Sequence, residues 1–245
     1  MKKNLKIAAL IMVLALCFSC FTACNEEKSN ESVETSESKN DETEDIREVA
    51  EAYFEAKLEE IDELDDIWEN VEEFVAKDSE VYKNHTDDSE EQDEFIEGLV
   101  ESIYCSDSFA EEIMVAQYNE LCKETEYKID KIEIDNNKAT VTYTVETLYL
   151  ENIDEADNDL NLEYMKALEN YVLEYWEEGT WELVQTNSDV REQVLSEYCV
   201  DCHDELLDLF SNYYLKKFET TKRDGTLTLE KNDNKWLVTE NEQNE

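Results

Sequence analysis

Proline is absent from this chain, and glycine occurs only at Gly98, Gly179 and Gly225. Nucleotide-binding loops need several glycines, because backbone N–H groups must approach a phosphate without a Cβ in the way, so the commonest signatures of that class are excluded. Basic side chains are scarce: 21 Lys and Arg stand against 66 Asp and Glu, a formal charge of −45. Nucleic-acid binding requires a cationic footprint, which this composition denies. The same sign repels anionic lipid headgroups, so the protein surface itself is not expected to dock on a membrane. Loosely held cations are expected as a consequence of the charge. Histidine is also rare, and His85 sits in the polar stretch Lys83-Asn84-His85-Thr86-Asp87, where solvation is a better reading than catalysis.

High charge with few apolar groups would mean disorder, but the chain holds 13 Tyr, 8 Phe and 4 Trp. Most of these follow residue 45 at helical or strand spacing. About 200 residues remain there, enough for one domain with a substantial core or for two subdomains.

The N-terminus has a different character. Met1-Lys2-Lys3-Asn4-Leu5-Lys6 is basic, and an apolar run continues through residues 7–18. This is the layout of a secretory signal, although the run approaches the ~18 residues of a retained membrane helix. The segment ends in Phe21-Thr22-Ala23-Cys24, which resembles the lipobox of bacterial lipoproteins. The resemblance implies that Cys24 receives a diacylglyceryl group, that residues 1–23 are removed as a signal peptide, and that Cys24 becomes the mature N-terminus. Cys20 is the poorer candidate, because bulky Phe18 stands where a small residue is wanted. An uncleaved helix with incidental cysteines is the competing reading. Loss of residues 1–23 removes Lys2, Lys3 and Lys6, leaving 66 acidic against 18 basic side chains, a charge of −48. Each buried methylene of the lipid contributes about 0.8 kcal/mol to membrane association. Residues 25–44 contain a single apolar residue, Val33, so 24–44 is read as a disordered acidic tether. A flexible chain of that length spans roughly 25 Å.

Residues 45–245 are read as one α+β domain. Ile46, Val49, Ala50, Tyr53, Phe54 and Leu58 recur at helical spacing, and Ile61, Leu64, Ile67, Trp68, Val71, Phe74 and Val75 continue the stripe, predicting one long helix or two consecutive ones. Ser89-Glu90-Glu91-Gln92 and Ser108-Phe109-Ala110-Glu111 have the capping-box pattern, predicting helices near 90–104 and 109–124. Alternation over 127–134 and 139–145 about Asp135-Asn136-Asn137-Lys138 predicts a hairpin. Helical spacing returns over 160–178 with Gly179 as a stop, and again from Ser188 to about Lys217. Residues 225–229 and 235–238, flanking Asn232-Asp233-Asn234, predict a second hairpin.

Lys138-Ala139-Thr140-Val141-Thr142, with the closing Leu227–Lys231 and Asn234–Val238 segments, resembles the strands of nuclear-transport-factor-2-like (cystatin-like) domains found in many Gram-positive lipoproteins. The likeness implies a curved antiparallel sheet of about four strands packed against several long helices. It implies no activity, because that fold serves isomerases, dehydratases and binding modules alike.

Among chemical motifs the most pronounced is Cys199-Val200-Asp201-Cys202-His203, the spacing of a c-type haem attachment, where two thiols add to vinyl groups and the imidazole ligates iron. Against it, Leu195, Cys199, Cys202, Leu206, Leu209 and Tyr213 form one apolar helical face, on which both cysteines serve as small core residues. A metal reading draws on Cys199, Cys202 and His203 with Cys105 or Cys122 as a fourth ligand, but one close pair is fewer than zinc sites usually use. Export makes a disulfide among Cys105, Cys122, Cys199 and Cys202 a third reading, with no preferred pairing. Asp157-Asn158-Asp159-Leu160-Asn161 imitates a calcium loop, yet Leu162 and Leu168 stand where glycine and glutamate are required.

The expected function is that of a surface lipoprotein on the extracytoplasmic side of the cell membrane, whose domain binds a protein or small ligand without catalysis. The rival is an enzyme with a pocket in the concave sheet. No cofactor is expected apart from the haem alternative, and the expected partners are the membrane through its lipid and an unidentified protein or ligand.

Overall fold

A computed structural model describes residues 38–79, 81–83, 96–100, 103, 105–148 and 153–243. The signal segment, Cys24, the tether up to residue 37, His85 and the Ser89–Gln92 capping pattern lie outside the described residues. Helix α1 (Ser38–Lys57) is followed by the short α2 (Asp66–Glu69) and a 3-10 turn (Glu72–Phe74). Helix α3 (Asp107–Lys123) leads into β1 (Glu126–Asp135) and β2 (Lys138–Leu148). Four helices follow, α4 (Ile153–Tyr175), α5 (Thr180–Thr186), α6 (Ser188–Asp201) and α7 (His203–Lys217), and β3 (Thr220–Asn232) and β4 (Lys235–Gln243) close the chain. The fold is α+β, and its open sheet is antiparallel in the order β1-β2-β3-β4. No helix among the described residues is long and apolar enough to cross a membrane.

Both hairpins form where alternation and turn chemistry placed them. Asn136 adopts φ 57° in the first turn, and Asp233 and Asn234 adopt φ 47° and 68° in the second. Asn and Asp tolerate this left-handed region better than other non-glycine residues. The apolar phase of β1 slips by one between Ile129 and Ile132, and the strand answers with a bulge between Ile129 and Lys131. The extra residue keeps Tyr127, Ile129, Ile132 and Ile134 on the inner face. A second irregularity at Thr228/Leu229 does the same for β4, where Trp236, Val238 and Asn241 point inward.

Helix α1 covers that inner face. Ile46, Ala50, Tyr53 and Phe54 pack with Ala139, Val141, Tyr143, Val145, Leu227, Leu229, Trp236 and Val238. The helix begins at Ser38, ahead of the Asp45 that the apolar pattern predicts. Its first turns are held by tertiary contact: Lys231 Nζ donates to Glu42 Oε1 at 2.6 Å and lies 5.4 Å from the Trp236 ring centroid.

The apolar stripe at 61–75 is not a long helix. It folds as short helical pieces with local hydrogen bonds, such as Asn70 N–H to the Asp66 carbonyl at 2.9 Å, and its two ends are bonded from outside. Ile61 N–H donates to Asn119 Oδ1 and Ile61 C=O accepts from Asn119 Nδ2, both at 2.9 Å. Val75 bridges to Val238 in parallel, and Ala76 N–H donates to the Val238 carbonyl at 2.9 Å. These bonds also shield the exposed edge of β4.

The remaining helices form a second core. Leu160, Tyr164, Leu168 and Val172 of α4 pack with Val194, Leu195 and Tyr198 of α6, Leu206 and Phe210 of α7, and Ile113 and Met114 of α3. Helix α3 is capped by Ser106, whose Oγ accepts from Phe109 N–H at 3.3 Å. Ser108, the expected cap, lies inside the first turn, whereas Ser106 has the extended backbone that an N-cap requires. Helix α4 ends at Tyr175, short of the Gly179 read as its stop; Gly179 takes φ 91° at the N-cap of α5 instead. The two cores meet through α3: Tyr118 hydroxyl donates to the Lys57 carbonyl at 2.6 Å, beside the Asn119–Ile61 pair.

Candidate functional site

The single helix expected over 188–217 is broken. Cys202 leaves helical geometry at φ −114°, ψ 30°, separating α6 from α7. The two halves serve different neighbours. Tyr171 hydroxyl of α4 donates to Asp201 Oδ2 at 2.6 Å, while His203 Nε2 lies 3.0 Å from Glu112 Oε2 of α3. Burial along the stripe nevertheless follows expectation for Leu195, Cys199, Leu206 and Tyr213, with Cys202 and Leu209 half-buried.

The break gives the three residues of the haem-like motif different surroundings. Cys199 is 6 % exposed, and its thiol donates to the Ile103 carbonyl at 3.4 Å in the helical core. Cys202 is half-buried, and His203 lies at the surface between Asp204 (3.2 Å) and Glu112, with Phe109 4.6 Å from its ring. Cys105 packs against the same core as Cys199 and Cys202. Cys122 belongs to a separate cluster with Ile61 and Tyr118, where its thiol faces the Lys57 carbonyl at 3.7 Å. The cysteines weighed as a shared ligand set are therefore divided between two places. Among the described residues no group of three or more His, Cys, Asp or Glu side chains is placed to hold a metal ion. Cys105, Cys122, Cys199 and Cys202 are free thiols. Burial pushes Cys199 up to about 12 and Cys105 and Cys122 up to about 11, so none is an activated nucleophile.

Carboxylates with altered acidity move downward. Asp66 accepts from the Glu63 and Asp62 backbone N–H groups, and Asp130 from Lys128 and Thr144; both sit below the ordinary range. A general acid would need the opposite shift. The inner face of the sheet is occupied by α1, with Phe54 stacked on Tyr127 at 4.3 Å and edge-on to Tyr143 at 4.7 Å.

Concavity occurs instead on both sides of α7. A cavity of 390 Å³ lies between α3 and α7, with Glu60, Glu120, Asp204 and Asp208 around it and Lys123 bonded to Glu120 at 2.7 Å. A groove of 350 Å³ lies between α4 and α7. Its walls and floor are Ala167, Tyr198, Leu206, Leu209 and Tyr213. Glu163, Glu205 and Asp208 stand at its rim with one cation, Lys216, whose ammonium is 3.5 Å from Asp208. Sequence periodicity marked several of these positions as core. It carried no sign that α4 and α7 would leave a gap.

No protein family model, curated protein or solved structure matches this chain.

Proposed function

We propose that this chain is a lipoprotein anchored through Cys24 on the extracytoplasmic side of a cell membrane, and that its α+β domain binds a partner rather than catalysing a reaction. The observation that carries the proposal is Phe21-Thr22-Ala23-Cys24, placed after a basic start and an apolar run and before a polar stretch. A single lipid chain anchors weakly, so the two acyl chains of a diacylglyceryl group are the physical source of stable attachment. Because the chain is strongly acidic, the lipid supplies the membrane contact and the charge keeps the domain off the headgroups. Binding is favoured over catalysis by the downward-shifted carboxylates and by thiols whose acidity burial weakens. The likeness of the hairpins to nuclear-transport-factor-2-like domains forms part of the proposal as an origin for the sheet.

The test is expression of the full chain in a bacterium, with intact mass and membrane fractionation as readouts. Wild-type protein should start at Cys24, carry a diacylglyceryl mass and sediment with membranes. Cys24→Ser should remain an unlipidated precursor. An unlipidated wild type, or the same lipid mass on Cys24→Ser, overturns the anchor.

A further inference from the structure

We infer that the groove between α4 and α7 receives a basic, amphipathic segment of a partner protein, an inference that rests on the binding reading above. The floor calls for an apolar group. Half-buried Ala167 and Leu209 offer apolar atoms to the groove, backed by Tyr198 and Leu206, which at 4 % and 1 % exposure belong to the core behind it. At 350 Å³ the groove lies near the lower end of the roughly 300–1,000 Å³ range of ligand sites, room for one or two large side chains.

The rim decides the sign of the occupant. Glu163, Glu205 and Asp208 face a single lysine, Lys216, that Asp208 already engages. An inserted Lys or Arg beside the apolar anchor meets these carboxylates, and complementarity of this kind selects partners and speeds encounter. A second copy of the chain would bring 66 acids and 21 bases against a surface of the same sign. A bare cation would satisfy the rim and leave the apolar floor without use. A peptide with alternating apolar and basic residues satisfies both.

Helix α4 turns Glu163 and Ala167 to the groove. A helix laid into such a groove reads it through residues three and four apart.

The test uses the lipidated full chain in detergent micelles and a synthetic twelve-residue peptide of alternating leucine and lysine pairs. Titration calorimetry at physiological salt removes most long-range charge attraction. Saturable binding is expected, with at least a ten-fold loss when serines replace the leucines. Glu163→Gln/Glu205→Gln/Asp208→Asn should weaken binding at least ten-fold. Glu44→Gln/Glu48→Gln/Glu55→Gln on α1 removes the same charge and should change it less than three-fold. Leu209→Lys, which places a cation in the groove and leaves the rim intact, should abolish binding with the circular-dichroism melt retained. Equal losses from the two triple variants, equal binding of the serine peptide, or no saturable binding overturns the inference. Lipid on Cys24 is read from the intact mass of the same samples, so the groove can fail while the anchored-protein reading stands.

Discussion

Gly225 of β3 lies directly under the ring of Tyr143 of β2: a Cβ at residue 225 would sit 2.3 Å from Tyr143 Cζ. The two residues are cross-strand partners, and the ring passes over the glycine so that its hydroxyl donates to Asn241 Oδ1 on β4 at 2.7 Å. One side chain thus ties three strands together. Gly225→Ala should displace the ring and break a buried hydrogen bond, costing about 3 kcal/mol by overpacking. Urea denaturation of Gly225→Ala, Tyr143→Ala and the double variant checks this. The alanine at 225 should cost little once the ring is gone, and additive losses would contradict the geometry.

The joint between the two cores rests on Asn119. Its amide exchanges two hydrogen bonds with the Ile61 backbone, as a neighbouring strand would. Asn119→Ala should lower stability by about 2 kcal/mol and leave two backbone groups without their partner. Hydrogen exchange should then accelerate at Ile61 before it changes in the centre of β2. Unchanged protection at Ile61 would count against this role.

His203 should titrate above the 6.5 of an unperturbed imidazole, because Asp204 and then Glu112 accept from its charged form. The sign follows from linkage. A raised folded-state pKa stabilises the fold fully below the unfolded pKa, and that contribution disappears as pH rises through the folded value. The ring is at the surface, so the effect on stability is small. A proton–carbon NMR titration checks the direction, and Glu112→Gln should move His203 down. A His203 value at or below 6.5 would refute the pairing.

Thiol reactivity should follow burial. Cys199 and Cys122 are 6 % and 7 % exposed, whereas Cys105 and Cys202 are half-buried. Burial raises all four pKa values, so few thiolates exist at pH 8. Timed iodoacetamide labelling with peptide mapping should find Cys202 and Cys105 modified first, and Cys199 and Cys122 only on unfolding. A peptide bridged between Cys105 and Cys199 in a non-reducing digest would contradict the free thiols.

The parts of the fold legible in the sequence are those governed by local rules. Alternation in 127–134 and 139–145, with asparagine at the turn, located the first hairpin because period-two patterning and left-handed turn residues act within a few positions. The α+β class followed from the same patterns. Helical spacing likewise marked Leu195, Cys199, Leu206 and Tyr213 as core, and they are buried. It did not reveal the break at Cys202, since both sides keep the same apolar spacing.

Amino-acid sequence by itself determined the charge, the hairpins and the helical character of 109–123, 160–175 and 188–217, because propensity, periodicity and turn chemistry are local. Tertiary structure alone decided that the two ends of 61–75 are held by Asn119 and Val238, that α6 and α7 part at Cys202, and that a groove opens between α4 and α7. Each of these depends on partners far along the chain. A backbone N–H or a carboxylate bonds to whichever distant group the packing brings within 3 Å, and no local pattern encodes that distance.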